Sequence, residues 1–106
     1  MYENNLLKAD IDFATSGDHT VIAAPTAGYI AIDHINFLSN SAVTVQLQDG
    51  TTDYGGGYYL NNQALTLENS AMNPKGVITL SEGEAFIINT DAAVQLSGFV
   101  RYRIVV

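Results

Sequence analysis

The sequence predicts an all-β protein: a single antiparallel β-sandwich of about eight strands with a jelly-roll-like arrangement. Its apolar residues recur in short two-residue alternations, the period of a strand with one buried side, rather than at helical spacing. Turn-forming residues separate these alternations at short intervals, as is typical of sandwiches. The 106 residues match one domain, residues 1–106, and 47% are hydrophobic, enough for a core without disulfides. Periodicity does not fix strand order, so an immunoglobulin-like order stays open at this point.

The predicted strands are short, and polar turns connect them. Residues 16–18 (Ser-Gly-Asp) end the first strand, and residues 25–28 (Pro-Thr-Ala-Gly) end the second. Asn-Pro-Lys-Gly at 73–76 fits a type I turn, with proline second and glycine fourth. We predict a hairpin about residues 81–84. The predicted strands in chain order are residues 6–13, 19–24, 29–38, 42–48, 63–67, 77–80, 85–89 and 94–106.

The third predicted strand changes its alternation in the middle. Ile30 and Ile32 share one parity, but Ile35 and Phe37 share the other. One extra residue in a strand reverses the facing of everything after it. A β-bulge near residues 33–34 would therefore turn all four side chains toward the core.

The last strand has the most regular alternation in the chain. Arg101 and Arg103, half of the four basic residues, share its second face with Phe99. Arginine beside aromatic surface suits an interface with an acidic partner or a sister subunit. The alternative, which we favour, is pairing with some of the eleven acidic residues of the same chain. The residues predicted to share the buried face are Val94, Leu96, Gly98, Val100, Tyr102 and Ile104.

Residues 51–62 interrupt the alternation, and we predict a loop there, after a tight turn at residues 49–50. Three consecutive glycines allow close backbone approach, and Tyr54, Tyr58 and Tyr59 are large amphipathic side chains. Tyrosine and glycine recur together at adaptable binding surfaces, so this segment is a candidate site for a sugar or a protein. The alternative is that one or two of the tyrosines fold back over a sheet edge.

Composition excludes several classes of partner and of chemistry. Eleven acidic against four basic residues give a net charge of −7, which repels nucleic acid and anionic membranes. No apolar run approaches the length of a membrane helix, and residues 1–5 lack the basic start of a signal peptide. Without cysteine, neither disulfides nor thiol-based metal sites are available.

The sequence carries no catalytic signature, and we expect no enzyme activity, no metal and no cofactor. His19 and His34 each follow an aspartate, but neighbouring strand residues face opposite ways, so neither pair converges on one point. Asp10 and Asp12 share a strand face, as a calcium site or a small hydrolase would require. We favour a solvated strand face instead, since calcium needs six or more oxygens and no loop clusters them.

Four segments of the chain resemble small virion proteins of tailed bacteriophages. In those proteins a turn and a short strand precede a long strand, and a G-x-V-x-Y pattern, here residues 98–102, lies near the end. The likeness spans residues 16–103. Its segments are SGDHTVIAA (16–24), GYIAIDHINFLSNSAVTVQLQDG (28–50), GVITLSEGEAFIIN (76–89) and VQLSGFVRYR (94–103).

The resemblance implies a capsid decoration, or cement, protein. Such a protein is made in the host cytoplasm and sits on the outer capsid surface as a homodimer or homotrimer. There it clamps neighbouring major capsid protein subunits, with no catalysis and no cofactor. Residues 1–8 would be a contact arm to the shell. The alternative is a carbohydrate- or receptor-binding module of a phage fibre or tail, in which Tyr54, Tyr58 and Tyr59 would stack on sugars.

Overall fold

The computed structural model of the protein describes residues 6–69 and 76–106. These residues form nine strands and, among them, no helix, which confirms the all-β prediction. Residues 1–5 of the predicted contact arm and residues 73–75 of the predicted type I turn lie outside the described residues. The strands are β1 (Leu7–Phe13), β2 (Gly17–Ile22), β3 (Tyr29–Ser39), β4 (Ala42–Gln48), β5 (Asp53–Asn61), β6 (Ala64–Glu68), β7 (Ile78–Thr79), β8 (Phe86–Thr90) and β9 (Leu96–Val105).

Two antiparallel sheets make up the sandwich. Sheet A has the order β1-β9-β3-β6, with the short β7 also pairing with β3, and sheet B has the order β2-β8-β4-β5. The chain pairs with itself in a nested series: β1 with β9, β2 with β8, β3 with β6 and β4 with β5. An antiparallel ribbon that nests in this way and rolls across two sheets is a jelly roll. The jelly-roll prediction is therefore confirmed, and the immunoglobulin-like order is excluded.

The core lies between the sheets and takes every second residue of the long strands. In β4, for example, Val43, Val45 and Leu47 are buried, whereas Thr44 and Gln46 are partly exposed. Fully burying a side chain of this size contributes about 1.5–3 kcal/mol, so this alternation is what commits each strand to one facing. Side chains from both sheets form one cluster: Ile11, Ile22, Ile30, Ile32, Ile35, Phe37, Val43, Val45, Leu47, Leu60, Leu80, Phe86, Ile88, Val94, Leu96 and Val100.

The predicted bulge in β3 is confirmed at Asp33. Ile32 pairs with Tyr102 and His34 pairs with Arg101, so Asp33 is the extra residue between them. Ile30, Ile32, Ile35 and Phe37 are all buried as a result. The bulge allows the eleven-residue strand to bury side chains in the core both before and after Asp33.

A glycine sits at the centre of sheet A because two backbones approach closely there. Gly98 of β9 lies between Ile11 of β1 and Phe37 of β3. A Cβ at this position would lie 2.0 Å from the carbonyl oxygen of Asn36 and 2.6 Å from the Cα of Phe37. Neither distance is possible for nonbonded atoms, so this part of the strand requires glycine.

The predicted loop at 51–62 is wrong, because most of it is the edge strand β5 of sheet B. Val45 of β4 pairs with Tyr58 and Leu47 pairs with Tyr54, so Gln46 alone stands opposite three glycines. Such a bulge adds residues to one strand without ending the ladder, and glycine at a positive φ favours it. Gly55 has a φ of +76°. The glycines interrupt the alternation in the sequence, while the strand continues through them.

The predicted hairpin about residues 81–84 is also wrong. β7 pairs with β3 in sheet A, whereas β8 pairs with β2 and β4 in sheet B. The segment between them therefore crosses from one sheet to the other. Turn residues at 81–84 reverse the chain in either case, and the pattern alone does not separate a hairpin from a crossing between sheets.

Candidate binding surfaces

Two of the three candidate tyrosines on β5 serve the core. Tyr54 and Tyr58 are partly buried and pack against the hydrophobic cluster. The hydroxyl of Tyr58 lies over Gly55, where a Cβ would come within 2.5 Å of it. The alternative stated above, that one or two tyrosines fold back onto the sheet, therefore describes Tyr54 and Tyr58. Tyr59 lies between the inward-facing Tyr58 and Leu60, so its side chain points outward, and it is 65% exposed.

Tyr54 also belongs to a buried polar centre around Asp49, whose residue is only 3% exposed. One oxygen of Asp49 accepts hydrogen bonds from the backbone N–H groups of Thr51 (2.7 Å) and Thr52 (2.8 Å). The other accepts from the hydroxyl of Tyr54 (2.5 Å) and from the N–H of Ser81 (3.0 Å). The carboxylate thus joins the β4–β5 connection to the segment between β7 and β8.

These hydrogen bonds also fix the ionisation of the pair. Burial raises the pKa of Asp49, but the hydrogen bonds from Tyr54 and from the N–H groups of Ser81, Thr51 and Thr52 outweigh it and hold that pKa well below its usual range. Burial and the bond to Asp49 raise the pKa of Tyr54. The sequence shows Asp49 only as a turn residue. Its partner Ser81 lies 32 positions away, so sequence pattern gives no sign of their hydrogen bond.

The outer face of sheet B carries several amide side chains. Gln48 and Asn89 both donate to one oxygen of Asp18, at 3.3 and 2.6 Å. Tyr59 stands on β5 opposite Thr44. The exposed ring of Tyr59, beside hydroxyl and amide groups, is the feature of this face, as far as the described residues show it, that a sugar could use.

The structure separates the roles of the two candidate arginines. Arg103 Nη2 forms an ion pair with Asp33 at 3.0 Å, and both side chains are about three-quarters buried. This is the pairing within one chain that the sequence favoured. Arg101 is exposed, and its guanidinium carbon lies 5.9 Å from the centre of the Phe99 ring.

Around Phe99 the outer face of sheet A carries a group of aromatic, basic and apolar side chains. The imidazole of His34 stacks against the Phe99 ring with centroids 5.7 Å apart. Leu38, on the same face of β3, is 48% exposed. We call His34, Leu38, Phe99 and Arg101 the Phe99 surface. The sequence placed Phe99 beside the arginines, but His34 and Leu38 join them only through the register of β3 against β9.

Most of the chain's basic residues lie on this face. Lys8 of β1 stands directly opposite Arg101, and Arg103 follows two residues later on the same side of β9. Together they are three of the four lysines and arginines in the sequence. Across the sheet, Arg101 stands opposite His34 of β3, and His34 stands opposite Glu68 of β6. Glu68 Oε2 lies 3.8 Å from Nδ1 of His34. Lys8 pairs with Asp10 and Arg103 pairs with Asp33 on this same face, so Arg101 is the basic residue of the face for which the described residues show no ion pair.

The aspartate–histidine pairs do not converge. Asp18 accepts from amides, whereas the His19 ring stacks on Phe13 at 3.7 Å and its Nε2 donates to the carbonyl of Thr15 at 2.7 Å. Asp33 and His34 likewise have different partners, Arg103 and the Phe99 ring.

The two carboxylates of β1 are also separately engaged. Asp10 pairs with Lys8 at 3.2 Å, and Gln95 donates to Asp12 at 2.8 Å. Within residues 6–69 and 76–106, no three side chains of metal-binding type come together to hold an ion. The same residues include no helix long and apolar enough to cross a membrane.

Comparisons with known proteins give one structural likeness. No family model matches the chain, and no curated protein matches it. A solved structure that is similar is the virus-like particle of the extra small virus of the giant freshwater prawn Macrobrachium rosenbergii, determined by cryo-electron microscopy. The two chains share 14% sequence identity with a TM-score of 0.43, over 96% of this chain and 82% of the other.

Proposed function

We propose that this protein is a structural component of a virion, a decoration protein that binds the outside of a phage head and stabilises contacts between major capsid subunits. It acts by binding, with no catalysis and no cofactor. Two kinds of support stand behind the proposal: the resemblance of four segments to small phage virion proteins, and the jelly-roll fold. Jelly rolls recur in viral capsid and lectin domains, so the fold favours both this function and its main alternative.

The Phe99 surface is the observation that carries the proposal. Arginine and aromatic side chains dominate the energetics of protein interfaces, whereas isolated charges on a surface contribute little. Here an exposed arginine, a stacked imidazole and a half-exposed leucine surround one ring on the rigid central strands of sheet A. The net charge of −7 for the whole chain suits the outside of a head, away from DNA.

The test is occupancy on phage heads prepared without this protein. Arg101→Glu reverses the exposed charge of the Phe99 surface and should lower the affinity for heads at least tenfold, while the melting temperature stays near that of the wild type. Thr20→Glu, which adds a negative charge to the outer face of sheet B, is the matched control and should bind as the wild type does.

Equal occupancy by Arg101→Glu and the wild type would remove the Phe99 surface from the proposal. No binding of the wild type to heads would remove the decoration function itself. The contact arm is tested separately by deleting residues 1–5, since Leu7 and Lys8 already belong to β1 and pair with Tyr102 and Arg101. The deletion should lower occupancy without unfolding the domain.

The second candidate function is sugar binding on sheet B, and exposed Tyr59 favours it. Tyr54 and Tyr58 pack on the core, so the stacking platform would be Tyr59 alone, beside Thr44 and Asn61. A glycan array distinguishes the two functions. A signal that Tyr59→Ala abolishes and Arg101→Glu leaves unchanged would favour sugar binding, and an empty array would count against it.

A further inference from the structure

Strand β1 has a regular ladder on one side and, in the described residues, no strand on the other. It lies at the end of sheet A, and among the described residues only β9 pairs with it. Its ladder runs from Leu7 opposite Tyr102 to Phe13 opposite Leu96 without a register shift. Backbone N–H and C=O groups alternate in direction along a strand, so half of those in β1 point away from β9 and lack a strand partner in the described chain.

The other edges are less suited to pairing. β2 has a register shift between Thr20 and Ile22, and β5 carries the glycine bulge. Each of these irregularities disrupts the ladder of hydrogen bonds along its strand. β6 has five residues and β7 has two, against seven in β1. A regular edge of this length is the kind that natural sheets use, or protect, as a template for another strand.

The side chains of β1 select a register. Lys8, Asp10 and Asp12 face outward, while Ala9 and Ile11 face the sandwich interior. Charges block an edge most effectively when they point inward, and these do not. Residues directly opposite each other in an antiparallel pair face the same side of the sheet. When two β1 strands pair, an outward-facing residue must therefore lie opposite another outward-facing residue, and this requires the two-fold axis to pass through one residue rather than between two.

We infer that β1 pairs with β1 of a second copy about a two-fold axis at Ala9. Each Lys8 then faces Asp10 of the second copy, so opposite charges meet twice. Centring the pair on Asp10 instead would place two aspartates directly opposite each other, which is unfavourable. The smallest side chain of the strand lies on the axis, and the two sheets A become one eight-stranded sheet, β7 aside.

The pairing also covers apolar side chains at the start of β1. Leu6 and Leu7 are 40% and 43% exposed. In this register Leu7 lies opposite Ile11 of the second copy, so part of that exposed surface leaves water. A two-fold interface of this kind uses the same patch on both copies, and it closes at two.

The first experiment measures native mass by light scattering after gel filtration. The wild type should be a dimer. Lys8→Glu places acidic side chains opposite one another and should shift the mass to that of one chain. The double variant Lys8→Asp with Asp10→Lys restores opposite charges in the same register and should restore the dimer. Asp53→Lys, a charge change on the edge of sheet B, is the control and should remain a dimer.

The second experiment fixes the register by cross-linking. The chain has no cysteine, so Ala9→Cys introduces one thiol per copy. Residues directly opposite in an antiparallel pair have Cα atoms about 4.5–5.5 Å apart, within the range of a disulfide. Mild oxidation should therefore yield a covalent dimer. In Asp12→Cys the two thiols would lie roughly 20 Å apart along the strands and should not cross-link.

The outcomes separate cleanly. A dimer that Lys8→Glu dissociates, that charge exchange restores and that Ala9→Cys traps supports the inference. A monomer at every concentration, a trimer, or a dimer indifferent to Lys8→Glu overturns it. Far-ultraviolet circular dichroism of each variant confirms that the sandwich is folded, so a change of mass reports the interface.

Discussion

Removing the charge of Asp49 should destabilise the fold although the residue lies in a turn. Asp49→Asn keeps one oxygen for the N–H groups of Thr51 and Thr52. It replaces the other with an NH₂ group, which cannot accept the N–H of Ser81. The hydroxyl of Tyr54 must turn to accept instead of donating.

The expected loss follows from the hydrogen bonds that the substitution breaks. A buried N–H left without an acceptor costs about 1–3 kcal/mol, and the remaining bonds lose their charge assistance, so a total of about 3 kcal/mol follows. The pKa of Asp49, held well below its usual range by the same hydrogen bonds, has the direction expected of a carboxylate that stabilises the fold at neutral pH. A loss of about 3 kcal/mol is equivalent to a fall in melting temperature of about 15 °C.

The assay is urea unfolding at neutral pH followed by circular dichroism and by tyrosine fluorescence, since the chain has six tyrosines and no tryptophan. Tyr54→Phe removes one bond to the same carboxylate and should cost about 1–2 kcal/mol. The double variant should cost less than the sum, because both changes break the same bond. Asp53→Asn, an exposed carboxyl on the same hairpin, is the control and should change stability by less than about 0.5 kcal/mol.

A loss no larger than that of Asp53→Asn would refute the reasoning. So would strict additivity of Asp49→Asn and Tyr54→Phe, since it would mean that the two side chains do not share an interaction in solution.

Three further predictions follow from the same structure. The folded pKa of Asp49 lies below the ordinary value of 3.8, so the stabilisation by its charge is present above that pH and is lost as pH falls through the folded pKa. The difference in unfolding free energy between the wild type and Asp49→Asn should therefore shrink in urea titrations below about pH 4. Gly98→Ala forces a Cβ into the backbone of β3 and should cost at least about 3 kcal/mol in the same assay. Gly56→Ala, where a Cβ meets nothing, should cost little, and equal losses for the two would contradict the close approach of β9 and β3. Deleting Asp33 removes the bulge and turns two large core side chains outward, a loss of about 3–6 kcal/mol, whereas Asp33→Asn keeps the bulge and should leave Tyr29–Ser39 protected in hydrogen exchange.

Much of the fold follows from local pattern, because each long strand buries every second residue. The facing of β9 and the bulge at Asp33 are both visible in the sequence, since a change of parity between Ile32 and Ile35 has one simple structural cause. Pattern fails where the ladder itself is irregular. The glycines at 55–57 have no side chains to alternate, and only the register against β4 shows that they continue a strand.

The binding surfaces were harder to predict because they depend on pairing between distant strands. Tyr54, Tyr58 and Tyr59 look alike in sequence, yet pairing with the buried Leu47 and Val45 turns the first two toward the core, and alternation turns Tyr59 toward solvent. Arg103 has its acid on β3, 70 positions away, and that ion pair leaves Arg101 as the exposed arginine of β9. Strand order and register, rather than residue type, decide which of these side chains a partner can reach.

The proposed dimer and the Phe99 surface reinforce each other through geometry. With Ala9 on the axis, Lys8 faces Asp10 of the second copy, so Arg101 of one copy and Phe99 of the other lie in one row across the joined sheet. Three strand spacings separate the two β9 strands, about 14 Å. One partner surface could therefore contact both Phe99 surfaces at once. The second contact would then form within a complex that already exists, with little further loss of translational entropy, and this raises the avidity of the dimer. Lys8→Glu should then weaken binding to heads through loss of the dimer, and a covalent Ala9→Cys dimer carrying Lys8→Glu should recover it. Failure to recover would assign Lys8 to direct contact with the head.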